Sequence, residues 1–205
     1  MLKTKKDIHL ARKIWHISGV AVLCAIYIYT PYDKLIPLGG FLTCLVFLID
    51  FCRLKSSRFN NFTQIVFGIF LRKEEKQKLT GLSYMALGTY LVAVLFPEEV
   101  VLTSYLFLGL GDPAASYIGI RYGKNKIGSK SFEGSMASFC VCAFIAMISF
   151  SHYELFAHRI FIAVPVAGLI GSVSELIQIK YIDDNMSLPL LSGFGLWSLV
   201  HILGV

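Results

Sequence analysis

Seven acidic or histidine side chains stand inside or at the ends of long apolar runs: His16, Asp50, Asp112, Glu133, Glu175, Asp183 and Asp184. In hydrocarbon such groups are costly, so each is a functional candidate by default. Asp112 is the sharpest case. It lies in Gly109-Leu110-Gly111-Asp112-Pro113, where the proline removes a backbone donor and the glycines loosen the helix. Irregular backbone at that depth is tolerated where it borders a site. The loop Arg121–Gly134 is the second feature. It gathers Lys124, Lys126 and Lys130 with Gly123, Gly128, Gly134, Ser129 and Ser131 ahead of a helix start. Backbone N–H groups, ammonium groups and a positive helix end together make an anion site. The order Gly123-x4-Gly128-Ser129-Lys130 reverses the last two positions of a phosphate-binding P-loop, and no strand precedes it, so a P-loop ATPase is not expected. Third, Asp183-Asp184-Asn185 offers two carboxylates and an amide. Hard oxygen donors of this kind suit Mg²⁺ held together with nucleotide phosphates.

Each residue also has a plainer reading. Asp50 and Arg53, spaced i,i+3, can pair as a helix-end salt bridge. Glu133 sits in a first helical turn, where a negative charge suits the dipole. His16 can lie at the interface, Glu175 can bond a neighbouring helix, and Asp-Asp-Asn is common in turns. The cysteines at 24, 44, 52, 140 and 142 have no C-x-x-C spacing and read as small apolar residues.

The elements that position these groups follow from composition. Of 205 residues, 56% are hydrophobic and only 16% charged, against roughly 25% charged in soluble domains. That argues against a soluble domain and against disorder. Seven apolar segments emerge, at about Ile14–Thr30, Leu35–Cys52, Leu79–Phe96, Val100–Ile120, Phe132–Ser151, Ile160–Ile179 and Leu188–Val205. Each approaches the ~20 residues that cross a bilayer as a helix. Phe59, Phe62, Ile65, Val66, Ile69 and Phe70 repeat at helical spacing between the second and third, which predicts an amphipathic helix in the interface. The expectation is an all-α polytopic membrane protein, one integral-membrane domain over 1–205, without a cleaved leader peptide. With the N-terminus cytosolic, every lysine and arginine except Lys34 and Arg159 faces the cytosol, as the positive-inside rule asks.

The net charge of +6 therefore concentrates on one membrane face. This suits polyphosphate or anionic lipid, and no nucleic-acid motif is visible. The seven acidic and histidine positions fall toward the same leaflet, which points to one polar pocket open to the cytosol among spans one, two, four, five and six.

In order along the chain stand Arg12-Lys13-x2-His16-x2-Gly19, Asp50-x2-Arg53-Leu54, Leu71-Arg72-Lys73-Glu74-Glu75, and Thr80-Gly81-x2-Tyr84. Then come Gly111-Asp112-x-Ala114-Ala115-x3-Gly119-x3-Gly123, Lys130-Ser131-x-Glu133-Gly134-Ser135, and Ser174-Glu175 followed by Asp183-Asp184-Asn185-x3-Pro189. Together these blocks resemble the CTP-dependent lipid-alcohol kinases: diacylglycerol, dolichol and phytol kinases, distantly related to phosphatidate cytidylyltransferase. The second and third blocks look most like the diacylglycerol kinase branch, and dolichol kinases are longer. Pro113 departs from the expected Thr or Ala.

The resemblance implies transfer of the CTP γ-phosphoryl group to a membrane lipid alcohol, diacylglycerol first, then polyprenol or phytol. Nucleotide-binding positions would be Arg12, Lys13, Arg121, Gly123, Lys124, Lys126, Lys130, Ser131, Glu133, Gly134 and Asn185. Asp112 with Asp183 or Asp184 would hold Mg²⁺, and the general base is open among His16, Asp112 and Glu175. The expected partners are CTP, the lipid alcohol and the bilayer of a bacterial inner membrane or endoplasmic reticulum. Gly119-x3-Gly123 leaves room for a homo-oligomer. Two other readings stay open: phosphatidate cytidylyltransferase, and a non-enzymatic transporter built on a broken helix.

Overall fold

The computed structural model describes residues 5–72 and 74–203, with side chains from residue 11. Lys3, Lys73 and residues 204–205 of the seventh expected span lie outside the described residues, as do the side chains of Lys5 and Lys6.

Every apolar segment is helical. In chain order these are α1 (Lys5–Tyr29), α2 (Tyr32–Lys55), α3 (Ser57–Phe67), α4 (Gly81–Leu95), α5 (Glu98–Leu106), a π-helical turn (Phe107–Gly111), α6 (Asp112–Tyr122), α7 (Phe132–His152), α8 (Ile160–Leu176) and α9 (Asp184–Leu203). Four helices, at 11–29, 32–55, 132–152 and 184–203, are long and apolar enough to cross a membrane, while α4 and α8 are apolar but shorter. The chain is thus a helical membrane protein. Phe161, Ile202, Ile120 and Phe41 point outward with most of their surface exposed, as side chains facing acyl chains do. The amphipathic segment forms α3, in which no residue is buried. The fourth expected span is a composite of α5, the π turn and α6.

The core lies among α4 to α9. Helix α7 runs along α8, α6 packs on α7, and α9 contacts both α4 and α8. Val92, Phe107, Leu108, Ala146, Ala163 and Ala167 are fully enclosed there. The two N-terminal helices attach from outside. Helix α1 packs on α5 and the π turn, and α2 packs on α4, yet α1 and α2 hardly touch each other.

One polar cluster fixes the segment between α3 and α4. Asp50 and Arg53, 4% and 3% exposed, form a salt bridge of 2.7 Å. Arg53 also donates to Asn60 Oδ1 and to the carbonyls of Glu75 and Lys78. Asp50 accepts from Thr80 N–H and from the Thr80 and Ser83 hydroxyls. Glu75 accepts from the N–H groups of Arg72 and Gly81, the latter satisfying a first-turn donor of α4. Asp50–Arg53 is therefore a buried, fully bonded junction, in line with the pairing its spacing suggests.

Candidate functional site

The π turn follows from Pro113. The Asp112 N–H reaches back five residues to the Phe107 carbonyl. In an α-helix it would have gone to Leu108, and the next residue, Pro113, has no N–H to give. The Leu108 carbonyl is left without a helical partner in a buried place. His16 of α1 supplies one: its Nε2 lies 3.1 Å from that oxygen. A carbonyl only accepts, so Nε2 carries the proton. Lys13, one turn before, reaches the Pro113 carbonyl at 3.4 Å and lies over the Tyr117 ring. The sequence blocks around His16 and Asp112 are thus complementary parts of one helix junction. A π-helical insertion at such a place is a common mark of a functional site.

Around this junction opens a cavity of about 470 Å³. Arg12, Lys13, Trp15 and His16 line it from α1, and Val46, Ile49, Asp50 and Arg53 from α2. Arg72, Glu75, Thr80 and Gly81 come from the linker and α4, Asp112, Pro113 and Ser116 from α6, and Asn185 from α9. Trp15 stacks on Phe70, with ring centroids 4.8 Å apart. Among the described residues the Asp112 carboxylate has no hydrogen-bond or salt-bridge partner. The cavity therefore sets the cations Arg12, Lys13 and Arg72 around an unpaired carboxylate. Arg72 is held above the ordinary arginine value. Burial pulls it down, but the charge and hydrogen bond of Asp183, with Glu75 and Asp112 behind, outweigh that.

A second polar group adjoins it. Lys130 Nζ lies 2.9 Å from Glu175 Oε1 and 3.2 Å from Asp184 Oδ2, and also donates to the Glu175 carbonyl. Burial pulls the Lys130 ammonium down, but Glu175, Asp184 and Asp112 together hold it above the usual 10.5. The Asp112 charge favours the protonated forms of both Arg72 and Lys130.

The loop expected to cradle phosphate is a short hairpin, with β1 (Lys126–Ile127) paired antiparallel to β2 (Lys130–Ser131). Its turn uses Gly128 at φ +59°, a conformation glycine adopts without cost. Only Lys130 turns inward; Arg121, Lys124 and Lys126 are exposed. Glu133 accepts from the backbone and side chain of Asn125 at the surface. The Ser131 hydroxyl accepts from Gly134 N–H, closing the first turn of α7. The glycines have a packing cause: a Cβ on Gly134 would meet the Ala115 carbonyl at 2.7 Å, and one on Gly123 would meet Ser131 Oγ at 2.7 Å. Gly119 likewise faces Ser131, so Gly119-x3-Gly123 serves a helix crossing within the chain.

The expected metal carboxylates divide. Asp183 is paired with Arg72 at 2.6 Å and accepts the Asn185 N–H at the start of α9. Asp184 faces Lys130, and Asn185 donates to the Gly81 carbonyl. Among the described residues no three His, Cys, Asp or Glu side chains form a ready metal cage. Mg²⁺ is usually held by one or two carboxylates with water and phosphates supplying the rest. Asp112, without a partner among the described residues, and Asp184 as a second carboxylate match that donor chemistry. Of the candidate bases, His16 donates through Nε2, Glu175 is closed off by Lys130, and Asp112 faces the cavity. In the sequence Arg72 stands out only as part of the Leu71–Glu75 block. Its signal was a basic pair between two helices, but its partner lies 111 residues away.

Several known proteins are similar to this chain. An uncharacterized protein of Rickettsia prowazekii is 29% identical over 189 residues, 90% of this chain and 91% of its own length. A CTP-dependent diacylglycerol kinase 1 of Schizosaccharomyces pombe is 29% identical over 154 residues, 70% of this chain and 71% of its own length. A probable chloroplastic phytol kinase 1 of Glycine max is 28% identical over 198 residues, 88% of this chain and 64% of its own length. No family model matches the chain. No solved structure matches it.

Proposed function

We propose that this chain, a relative of the CTP-dependent lipid-alcohol kinases and by that relationship a transferase, moves the γ-phosphoryl group of CTP onto the hydroxyl of a membrane lipid alcohol, giving the lipid phosphate and releasing CDP. Diacylglycerol is the first-choice acceptor and a polyprenol or phytol the next. The observation that carries the reading is the cavity at the π turn. It brings Arg12, Lys13 and Arg72 into one lining with Asp112, which has no partner among the described residues. Phosphoryl transfer asks the protein chiefly for positioning and for neutralisation of charge spread over phosphate oxygens. Three cations and a carboxylate around one cavity can supply both.

In this reading Arg12, Lys13 and Arg72 bind the triphosphate, and Lys130 orients Asp184 and Glu175 beside it. Mg²⁺ would be held by Asp112 with Asp184, and would supply further neutralisation of the phosphate charge. Asp112 also takes the lipid hydroxyl proton, since His16 spends its Nε2–H on Leu108. The apolar helices and the clustering of basic residues support seven spans with the N-terminus and the site on the cytosolic side.

The test is purified protein in mixed micelles with CTP carrying label on the γ-phosphate or on the cytidine, with each lipid alcohol, with and without Mg²⁺. γ-Label in the lipid is expected. Cytidine label in the lipid would make the protein a cytidylyltransferase, and no label of either kind would overturn the enzymatic reading.

A further inference from the structure

A second cavity, about 440 Å³, lies between α1, α2 and α4. It shares Trp15, Val46, Leu82 and Met85 with the polar cavity, so the two adjoin along those side chains, a wet end beside a dry end. The dry end exists because α1 and α2, joined by a tight turn, lean on different partners and leave a gap between them.

The wall of that gap is built to present hydrocarbon. Three of its hydroxyls are spent on backbone carbonyls: Thr43 on Ala86, Thr89 on Met85, and Tyr105 on Thr89 at 2.6 Å. Ser18, Tyr27 and Tyr90 also line it, among side chains that are otherwise mostly aliphatic or aromatic. The far end is floored by Tyr27 and Tyr105, set edge to face with centroids 6.1 Å apart. From Trp15 to Tyr27 is twelve residues of helix, about 18 Å at 1.5 Å per residue. One leaflet of a ~30 Å hydrocarbon core is about 15 Å deep. The groove is therefore as long as a lipid tail lying in its own leaflet.

We infer that this groove holds one hydrocarbon tail of the acceptor lipid, admitted sideways between α1 and α2, with the hydroxyl delivered past Trp15 and Met85 to Asp112. The inference rests on the kinase reading for the identity of the headgroup end. The tyrosine pair sets the limit on how far the tail extends. Acceptor preference is then a matter of tail length and width in the groove, and the nucleotide end has no part in it.

Val22 and Leu42 line the groove from α1 and α2 and are exposed, so a larger side chain at either place fills the groove without entering the core. V22W and L42W should each lower kcat/KM for dioleoylglycerol about tenfold or more while leaving dihexanoylglycerol within about twofold. Equal losses on both acceptors, or no loss on either, would overturn the assignment. A diacylglycerol carrying a diazirine at one acyl terminus gives a readout independent of turnover. Labelling concentrated on Tyr27 and Tyr90 supports the groove, whereas labelling spread evenly to outward residues such as Phe161 and Ile202 rejects it. Should the wild-type protein phosphorylate neither acceptor, the kinase reading falls and the labelling alone judges the groove.

Discussion

Asp112 and His16, both candidates for the general base, stand in different surroundings. Asp112 lines the polar cavity and has no partner among the described residues, and its charge favours the protonated forms of both Arg72 and Lys130. Asp112→Asn keeps the shape and removes the charge, so turnover should fall on the order of 100-fold or more. His16 holds the Leu108 carbonyl, and removing its donor leaves a buried acceptor unsatisfied at about 1–3 kcal/mol. His16→Gln, which still donates, should keep much of the activity that His16→Phe loses; equal loss in both would instead make His16 the base. Lys130 offers a pH test. Its folded value is raised by Glu175 and Asp184 against burial, so the stability it adds is full below the unfolded value and is lost only as pH rises through the folded one. The difference in Tm between wild type and Lys130→Met should stay constant from about pH 6 to 9 and close only above about 10.5. A difference that vanishes by pH 8 contradicts the pairing. At this scale the sequence showed which side chains were out of place in lipid, because their cost is local. It could not show that Arg72 meets Asp183 or that Lys130 meets Glu175, since those pairs form only when distant helices pack.

Elements were the most legible level. Apolar runs of near-bilayer length became helices with ends shifted by a few residues, and the Gly109–Pro113 irregularity became a π turn at that same place. Periodicity fixes such features along the chain. Which helix faces which neighbour is not written in periodicity: the glycines of the 121–134 segment suggest a phosphate cradle in sequence, and the packing of Gly123 against Ser131 and of Gly134 against Ala115 shows only in the fold. Gly134→Ala should accordingly destabilise by about 1–3 kcal/mol through forced separation of α6 and α7, measured as a lower Tm in detergent with the KM for CTP little changed. The junction of α2, α3 and α4 makes the strongest demand: Asp50→Ala strands the buried Arg53, a loss of about 3–5 kcal/mol. Little folded protein should be recovered; recovery at wild-type yield and Tm would show that the junction is dispensable.

Across the whole molecule, a packed bundle of α4 to α9 carries two looser helices, and the polar cavity and the apolar groove both lie where α1 meets that bundle. Under the proposed function this arrangement would let adjoining cavities take a charged nucleotide from water and a hydroxyl from the bilayer. The central claim is that the cavity around Asp112 is where phosphate changes hands. It is tested most directly by measuring CTP binding and γ-phosphoryl transfer side by side in wild type and Asp112→Asn. Binding retained with transfer nearly abolished is the predicted result; transfer at the wild-type rate in the variant would contradict the account.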